Sequence, residues 1–540
     1  MISVLLGLRL GRWGVFGFSL AALLSIFVQT AGFYQIAGHT LAERLQFGAS
    51  MAALEAQFVA LFAPTIRPDT VEGFVEFRGF NPLMILFAVW ALASATGFAR
   101  GDETRGIVET ELAAGTPRAV LLAARSGAFA IAVSVASIAG AAGFLIGVAA
   151  NHDTVEARGL IEMTLLIAAV GVACYGLTVL VAQVVGARIA TASAGALLIV
   201  LYLVNSLSRS FSWLSTWRWL SPFRYYDLSQ PLPQGGYFDG RAFVILVAFG
   251  VVATVLAAVA FMRRDVGGSI LRLPAISRRS THDAAPKPWW RLPVVRGLYE
   301  RRLGVLAWAV GTAALAAVFV ALTRTLVQAL LSVPTLLPYL SIFVHQQLYP
   351  AVLGYTWSNV AQLLFAALAI TYVASWSAED SDGRLEAVLA NPTSRAAVVL
   401  ERMGVLTVAA AIIAGVSGLV LAYASHTQGI DLVPQRVAAA SLMLVPFALV
   451  FAGAGAALAA WNPRAAVALL GALAFASYLD TELGTIYKLP LWLQDLSAFK
   501  LFGTPLVTGV DARNLALMLL LAIAGLGSSI LLMQRRDVGT

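Results

Sequence analysis

Two short acidic loops, each opened by a glycine and closed by an arginine, hold the residues of this chain best suited to act on something outside it. The first reads Gly106-Ile-Val-Glu109-Thr-Glu-Leu112-Ala-Ala-Gly-Thr-Pro-Arg118, and the second Gly383-Arg-Leu-Glu386-Ala-Val-Leu389-Ala-Asn-Pro-Thr-Ser-Arg395. Shared Gly, Glu, Leu and Arg stand 277 positions apart in every case (383 − 106), and Arg125 with Arg402 extends the series. A constant offset over half a chain marks an internal duplication. Val108 and Leu112, like Leu385 and Leu389, are four apart and share one helix face, with Glu109 and Glu386 beside it. Thr116-Pro117 and Asn391-Pro392 set a capping residue before a proline, where a new helix starts well. The chemistry this pattern offers is docking: a short amphipathic helix, a sharp turn, then a long apolar helix.

Residues for catalysis are not arranged to cooperate. His39, His152, His282, His345 and His426 are scattered with no metal-ligand spacing. The pair Asp480 and Glu482 reads as a solvated loop. Cys174 is the single cysteine, so no intramolecular disulfide forms. No Gly-x-x-x-x-Gly-Lys-Ser/Thr phosphate loop occurs anywhere in the sequence. The pI near 9.7 would suit nucleic acid, but the positive charge lies in short segments beside apolar runs, which excludes a nucleic-acid partner.

The elements that must carry the loops are membrane spans. Of 540 residues, 59% are hydrophobic and 12% charged, with mean hydropathy +0.83. A soluble domain is about 25% charged, so this composition specifies an all-α integral membrane protein. A span needs about 20 apolar residues. Such runs begin near residues 14, 81, 126, 159, 189 and 242, then near 304, 356, 403, 437, 464 and 514. The run near 464 is the shortest of these twelve. The first run is too long for a cleaved signal and is read as a span. With both termini cytoplasmic, most of the 36 Lys+Arg fall inside, as does the basic stretch from Arg263 to Arg302. The expected organisation is a six-span half over 1–267, a linker over 268–288 and a second six-span half over 289–540. Arg263-Arg-Asp-Val-Gly267 is repeated as Arg535-Arg-Asp-Val-Gly539, and Leu220-Ser-Pro-Phe-Arg224 as Leu496-Ser-Ala-Phe-Lys500. Six spans per half is an even number, so the halves are expected to insert as parallel repeats.

On these motifs the sequence resembles the permease subunits of type-2 ATP-binding-cassette exporters. Their loop after the second span forms a coupling helix that docks on the ATPase, and Glu379-Asp-Ser-Asp-Gly383-Arg-Leu-Glu386-Ala-Val-Leu-Ala-Asn-Pro392-Thr-Ser-Arg395 is a close match. The first copy departs at Ala-Ala-Gly-Thr-Pro-Arg. Leu220-Ser-Pro-Phe223 is also similar to the family. A fused twelve-span chain with this loop resembles the polyketide-antibiotic and multidrug exporters. The resemblance implies ATPase coupling through Glu103, Gly106, Glu109, Leu112 and Arg118, and through Glu379, Gly383, Glu386, Leu389, Pro392 and Arg395. It implies no cofactor in this chain, with ATP and Mg bound by two copies of a separate ATPase subunit. The remaining partners would be the lipid bilayer and an amphiphilic small-molecule substrate, in a bacterial plasma membrane. It also implies an interfacial helix opening each half: Trp290, Val294 and Leu298 among Arg291, Arg296, Arg301 and Arg302 suit this, and Met1 to Arg12 is a weaker version.

In the same family the second and fifth spans line the substrate route. By position this points to Phe87, Trp90, Tyr202, Asn205, Phe365, Tyr372, Phe475 and Tyr478, whose aromatic surface suits amphiphilic cargo. Segments 38–80 and 326–355 are long for plain connections and are expected to dip into the bilayer as an outer gate. The rival readings are a proton-coupled carrier, which is also two parallel six-span halves, an exporter of lipid or polysaccharide, and a membrane enzyme. Proton-coupled carriers keep ionisable residues in their spans. The twelve runs contain essentially none, with Glu162 at a span end, so the ATP-driven reading is favoured.

Overall fold

The computed structural model describes residues 2–38, 40–57, 65–209, 212–271, 292–331, 348–381, 383–484 and 490–536. The fold is 84% helical, with no strand among these residues. Eleven helices are long and apolar enough to cross a membrane. Two compact units divide the chain, Met1–Arg279 and Ser280–Thr540.

In the first unit, α1 (Ile2–Ile36) is followed by α2 (Leu41–Gln57) and by a long helix α3 (Val71–Thr104). Then come α4 (Ile107–Ala113), α5 (Arg118–Ala150), α6 (Ala157–Val184), α7 (Ala187–Leu207), α8 (Pro222–Asp227) and α9 (Gly240–Arg263). Helix α6 is the centre of the packing, with α3 and α9 against it, while α1 lies along α5. The second unit begins with α10 (Pro293–Glu300), α11 (Arg302–Leu331) and α12 (Leu348–Ser381). It continues with α13 (Arg384–Leu389), α14 (Arg395–Thr427), α15 (Pro434–Trp461) and α16 (Pro463–Gly484). Three short helices, α17 (Leu491–Gln494), α18 (Ala498–Phe502) and α19 (Pro505–Thr508), precede α20 (Ala512–Arg535). Here α15 holds the position of α6, with α12 and α20 against it and α11 along α14.

Helix bounds recur at the spacing of the loop motif. Arg118 and Arg395 open α5 and α14, and Ala157 and Pro434 open α6 and α15, each 277 apart. Crossings recur as well. A Cβ on Gly176 of α6 would lie 2.5 Å from the Gly250 carbonyl of α9, and one on Gly525 of α20 would lie 2.6 Å from the Gly453 backbone of α15. Gly176 and Gly453 are again 277 apart, so each unit brings two backbones together where only glycine fits.

Four expectations need correction. The run near 464 is apolar over Ala465–Thr481 alone, short of a full span, so eleven spans rather than twelve are found among the described residues. Helix α1 is unbroken through Arg12, because its glycines at 7, 11 and 14 weaken a helix without ending one. It therefore has no separate interfacial segment, whereas α10 is set off from α11 at Arg301. Helix α3 starts at Val71, not near 81, and so carries Glu72 and Glu76 into a candidate span, both buried. The spans thus do hold ionisable groups. Likewise α12 begins at Leu348, so segments 38–80 and 326–355 are shorter as connections than expected. His39, His282, Trp290, Arg291, His345 and most of the linker 268–288 lie outside the described residues.

A candidate coupling site in each half

Gly106 and Gly383 open the two short helices with φ of +73° and +71°, the left-handed conformation that glycine alone adopts without strain. This explains the glycines of the repeated motif. The apolar stripe faces the protein: Val108 and Leu385 are buried, and Leu112 and Leu389 pack on the core of their own unit. Leu112 and Leu389 thus also anchor the short helices, each partly buried. Glu109 and Glu386 are exposed, and so is the Val388 side chain beside Glu386.

The turns that follow differ. Helix α4 ends on Gly115 at φ +87°, with Gly115 N–H donating to Leu112 O (3.0 Å) and Thr116 N–H to Glu111 O (3.3 Å). That is a Schellman cap. Helix α13 ends instead through side chains, with Asn391 Nδ2 donating to Ala387 O and Thr393 Oγ1 to Val388 O. Neither Thr116 nor Asn391 caps the next helix. Pro117 and Ser394 hold those places, and the Ser394 hydroxyl accepts from Ala397 N–H at 3.1 Å. Pro392 is exposed in the turn.

The helix that follows each short helix is tethered at its first residue to the last helix of the unit. Arg118 donates to the carbonyls of Phe261 (3.2 Å) and Arg264 (2.6 Å) beyond the end of α9, and Arg395 to those of Met533 (2.8 Å), Gln534 and Arg536 at the end of α20. A guanidinium there meets the negative end of the helix. Arg125 pairs with Glu111 and, at 3.9 Å, Asp102; Arg402 pairs with Glu379 at 3.0 Å and Asp380 at 3.5 Å.

Behind these pairs lies an arginine–acid latch. In the first unit Glu103 accepts from Arg264 and from Arg100 (3.1 Å), all three buried. Arg100 also donates to the carbonyls of Ala182, Val185 and Gly268, and Arg264 to Gln183 Oε1. In the second unit Asp380 accepts from Arg536 at 2.8 Å, but Arg536 is 26% exposed and Ser377 stands 277 positions after Arg100. Glu379 is held by Arg301 as well, at 3.0 Å, and Arg301 reaches Ser375 Oγ. The equivalent pairs are Asp102 with Glu379 and Glu103 with Asp380. The coupling residues named from the sequence include Glu103 and Glu379 but neither Asp102 nor Asp380. The repeated Arg-Arg-Asp-Val-Gly was the available signal, since its second arginine is the partner in both units.

The motif before the last span also acts in both units. Ser221 and Ser497 cap α8 and α18, accepting from Phe223 and Lys500 N–H, and Phe223 and Phe499 are buried. Asp227 at the end of α8 pairs with Arg209; burial pushes its carboxyl above the usual range, against the pull of that arginine.

Of the eight aromatic and polar route candidates, Phe87 and Trp90 meet edge-on at 6.0 Å. Phe87 and Phe365 are core residues, and Asn205 is tied to Asp227 at 2.6 Å. Tyr202 packs edge-on against Phe223, Tyr372 lies under the Arg301 guanidinium, and Tyr478 packs on Phe499. Phe475 is half-buried. Trp90 lines a cavity. Among the described residues no group of three or more His, Cys, Asp or Glu could hold a metal.

An all-helical chain of long apolar helices with a repeated, tethered loop defines a multi-pass membrane protein. Residues 17–266 match the ABC-2 family transporter proteins, and residues 297–532 match the C-terminal domain of the multidrug efflux system permease Rv1217c. The chain belongs to the ABC-2 type permeases. No curated protein matches it.

Proposed function

We propose that the chain is the permease of an ATP-driven exporter, powered by two separate ATPase subunits that dock on α4 and α13 from the cytoplasm. The observation that carries this is the exposed acid, Glu109 and Glu386, on a short helix whose other face is fixed to the protein. Each short helix leads by a tight turn into a long helix whose first residue, Arg118 or Arg395, is bound to the last helix of the unit, so a push on the acid would reach the spans. Co-expression with a candidate ATPase subunit and affinity purification test it. A stable complex with nucleotide-dependent transport is expected; the chain recovered alone, with transport driven by a proton gradient, overturns it.

The cargo we infer is an amphiphilic small molecule, drug- or antibiotic-like, moved outward. The match to a multidrug efflux permease domain supports this over lipid or polysaccharide. Deletion strains should become sensitive to hydrophobic antibiotics and keep normal surface polymers; the reverse phenotype reverses the choice of cargo. The proton-coupled reading gains one observation, the buried Glu76 in α3.

A further inference from the structure

The first unit holds a cavity of about 190 Å³ among α1, α3, α5 and α6, and its lining has a chemistry that the coupling role does not use. Three of its walls are aromatic. Trp90 stacks on Phe18 at 4.5 Å and meets Phe129 edge-on at 5.3 Å, and Phe129 stacks on Tyr175 at 4.4 Å. The fourth, α1, contributes Gly7 and Gly11 together with the apolar Leu8, Leu10 and Val15. At one end stands Asp102, which Arg125 approaches to 3.9 Å. Arg125 also lines the cavity, but it is bound more closely by Glu111, and its Nε is buried without a partner.

The duplication supplies an internal control. Asp102 and Arg125 recur as Glu379 and Arg402, so the pair itself belongs to the shared tether. The aromatic lining does not recur: 277 positions on, Trp90, Phe98, Phe129 and Tyr175 become Ala367, Ser375, Leu406 and Ala452. These four aromatics are therefore not required to build the tether; the second unit has Trp376 alone beside Glu379, Asp380 and Arg402 in its cavities.

We propose that this cavity is a binding site for the planar head of an aromatic cation, its charge on Asp102 and its ring against Trp90 and Phe129. Aromatic faces attract cations, most strongly where water is excluded. The charged residues lining the site are Asp102 and Arg125, and Arg125 is bound more closely by Glu111. Arg105 acts on Asp102 from the exposed side, outside the cavity lining, and is itself engaged. The Phe98 ring already faces the Arg125 guanidinium, so it closes the cage rather than contacting the ligand. The volume suits one or two fused rings, less than the about 300 Å³ or more of a whole drug-sized site. The rest of an amphiphile would extend outside.

As a statement about cargo this rests on the exporter reading; as a statement about binding it does not. The test is calorimetric titration of N-methylquinolinium into the purified full chain in phosphatidylcholine nanodiscs, beside the neutral isostere 2-methylquinoline. Saturable binding is expected, with the cation favoured by about tenfold. Asp102→Asn should erase that preference and Asp102→Glu should keep it. Trp90→Leu should weaken both ligands, while Asp265→Asn, which removes an exposed acid of the same unit, should change nothing. Equal binding of the two ligands, no saturation beyond empty nanodiscs, or indifference to Asp102→Asn and Trp90→Leu overturns the site. The exporter reading would survive that result, because complex formation with an ATPase decides it separately.

Discussion

At the scale of single residues, the two units perform one task with different chemistry. Glu103 is enclosed by Arg100 and Arg264, with side chains 2–5% exposed, whereas Asp380 shares the partly exposed Arg536 with solvent. Breaking a buried pair leaves an uncompensated charge and costs about 3–5 kcal/mol, while an arginine that can reach water recovers most of that cost. Glu103→Ala should therefore lower the thermal unfolding midpoint of the detergent-solubilised protein clearly more than Asp380→Ala. Equal shifts would show that water reaches Glu103 too. How far this site was legible depends on the residue. The constant offset marked Gly106, Glu109 and Arg118 with their partners, and φ above zero explains the glycines. What it could not show was which acid meets which arginine, because Asp and Glu exchange places between Asp102–Glu379 and Glu103–Asp380. Pairing by residue type then fails by one position. Side-chain direction was equally hidden: a four-residue stripe says that Val108 and Leu112 share a face, not whether that face meets the core or a partner.

At the scale of elements, the short helices are held on one side and free on the other. Their free acids should meet a basic or hydrogen-bonding surface of the ATPase, and losing one such contact should cost on the order of 1–3 kcal/mol. The second helix has the more family-like turn, set by Asn391 and Thr393 side chains, while the first ends in a glycine cap. Glu386→Ala should accordingly reduce substrate-stimulated ATP hydrolysis further than Glu109→Ala, with membrane expression of both near normal. Full stimulation in both variants would make the loops passive connectors. The span boundaries show the limit of hydropathy as a guide. A charge within an apolar run makes counting stop, so Glu72, Glu76 and Arg78 hid the first ten residues of α3. Conversely, apolar Met1–Arg12 looked separable from the first span, yet nothing there ends a helix. Pro293 does start one, and α10 is distinct.

At the scale of the whole molecule, the open choice is the energy source, and Glu76 is where it can be tested. A carboxylate buried in a span is a functional candidate by default, and its presence removes the argument that the spans are free of acids. Its surroundings favour a structural role. Glu76 Oε2 accepts from Leu232 N–H at 2.9 Å, which fastens the segment after α8 to α3 beside the Gln230–Tyr237 bridge. Nearby, Tyr226 donates to Asn81 Oδ1 at 3.0 Å, a second tie to α3, made from α8 itself. A glutamine keeps the acceptor oxygen and cannot carry a proton. If Glu76 is a fastener, Glu76→Gln should retain transport and its dependence on nucleotide, and Glu76→Leu, which strands the Leu232 N–H, should lose about 1–3 kcal/mol of stability. If it is a proton relay, Glu76→Gln should abolish transport while leaving the fold intact, and a protonophore should abolish it in the parent protein. Measuring both variants and the protonophore response in one vesicle preparation separates the two cases, with retention in Glu76→Gln the expected result.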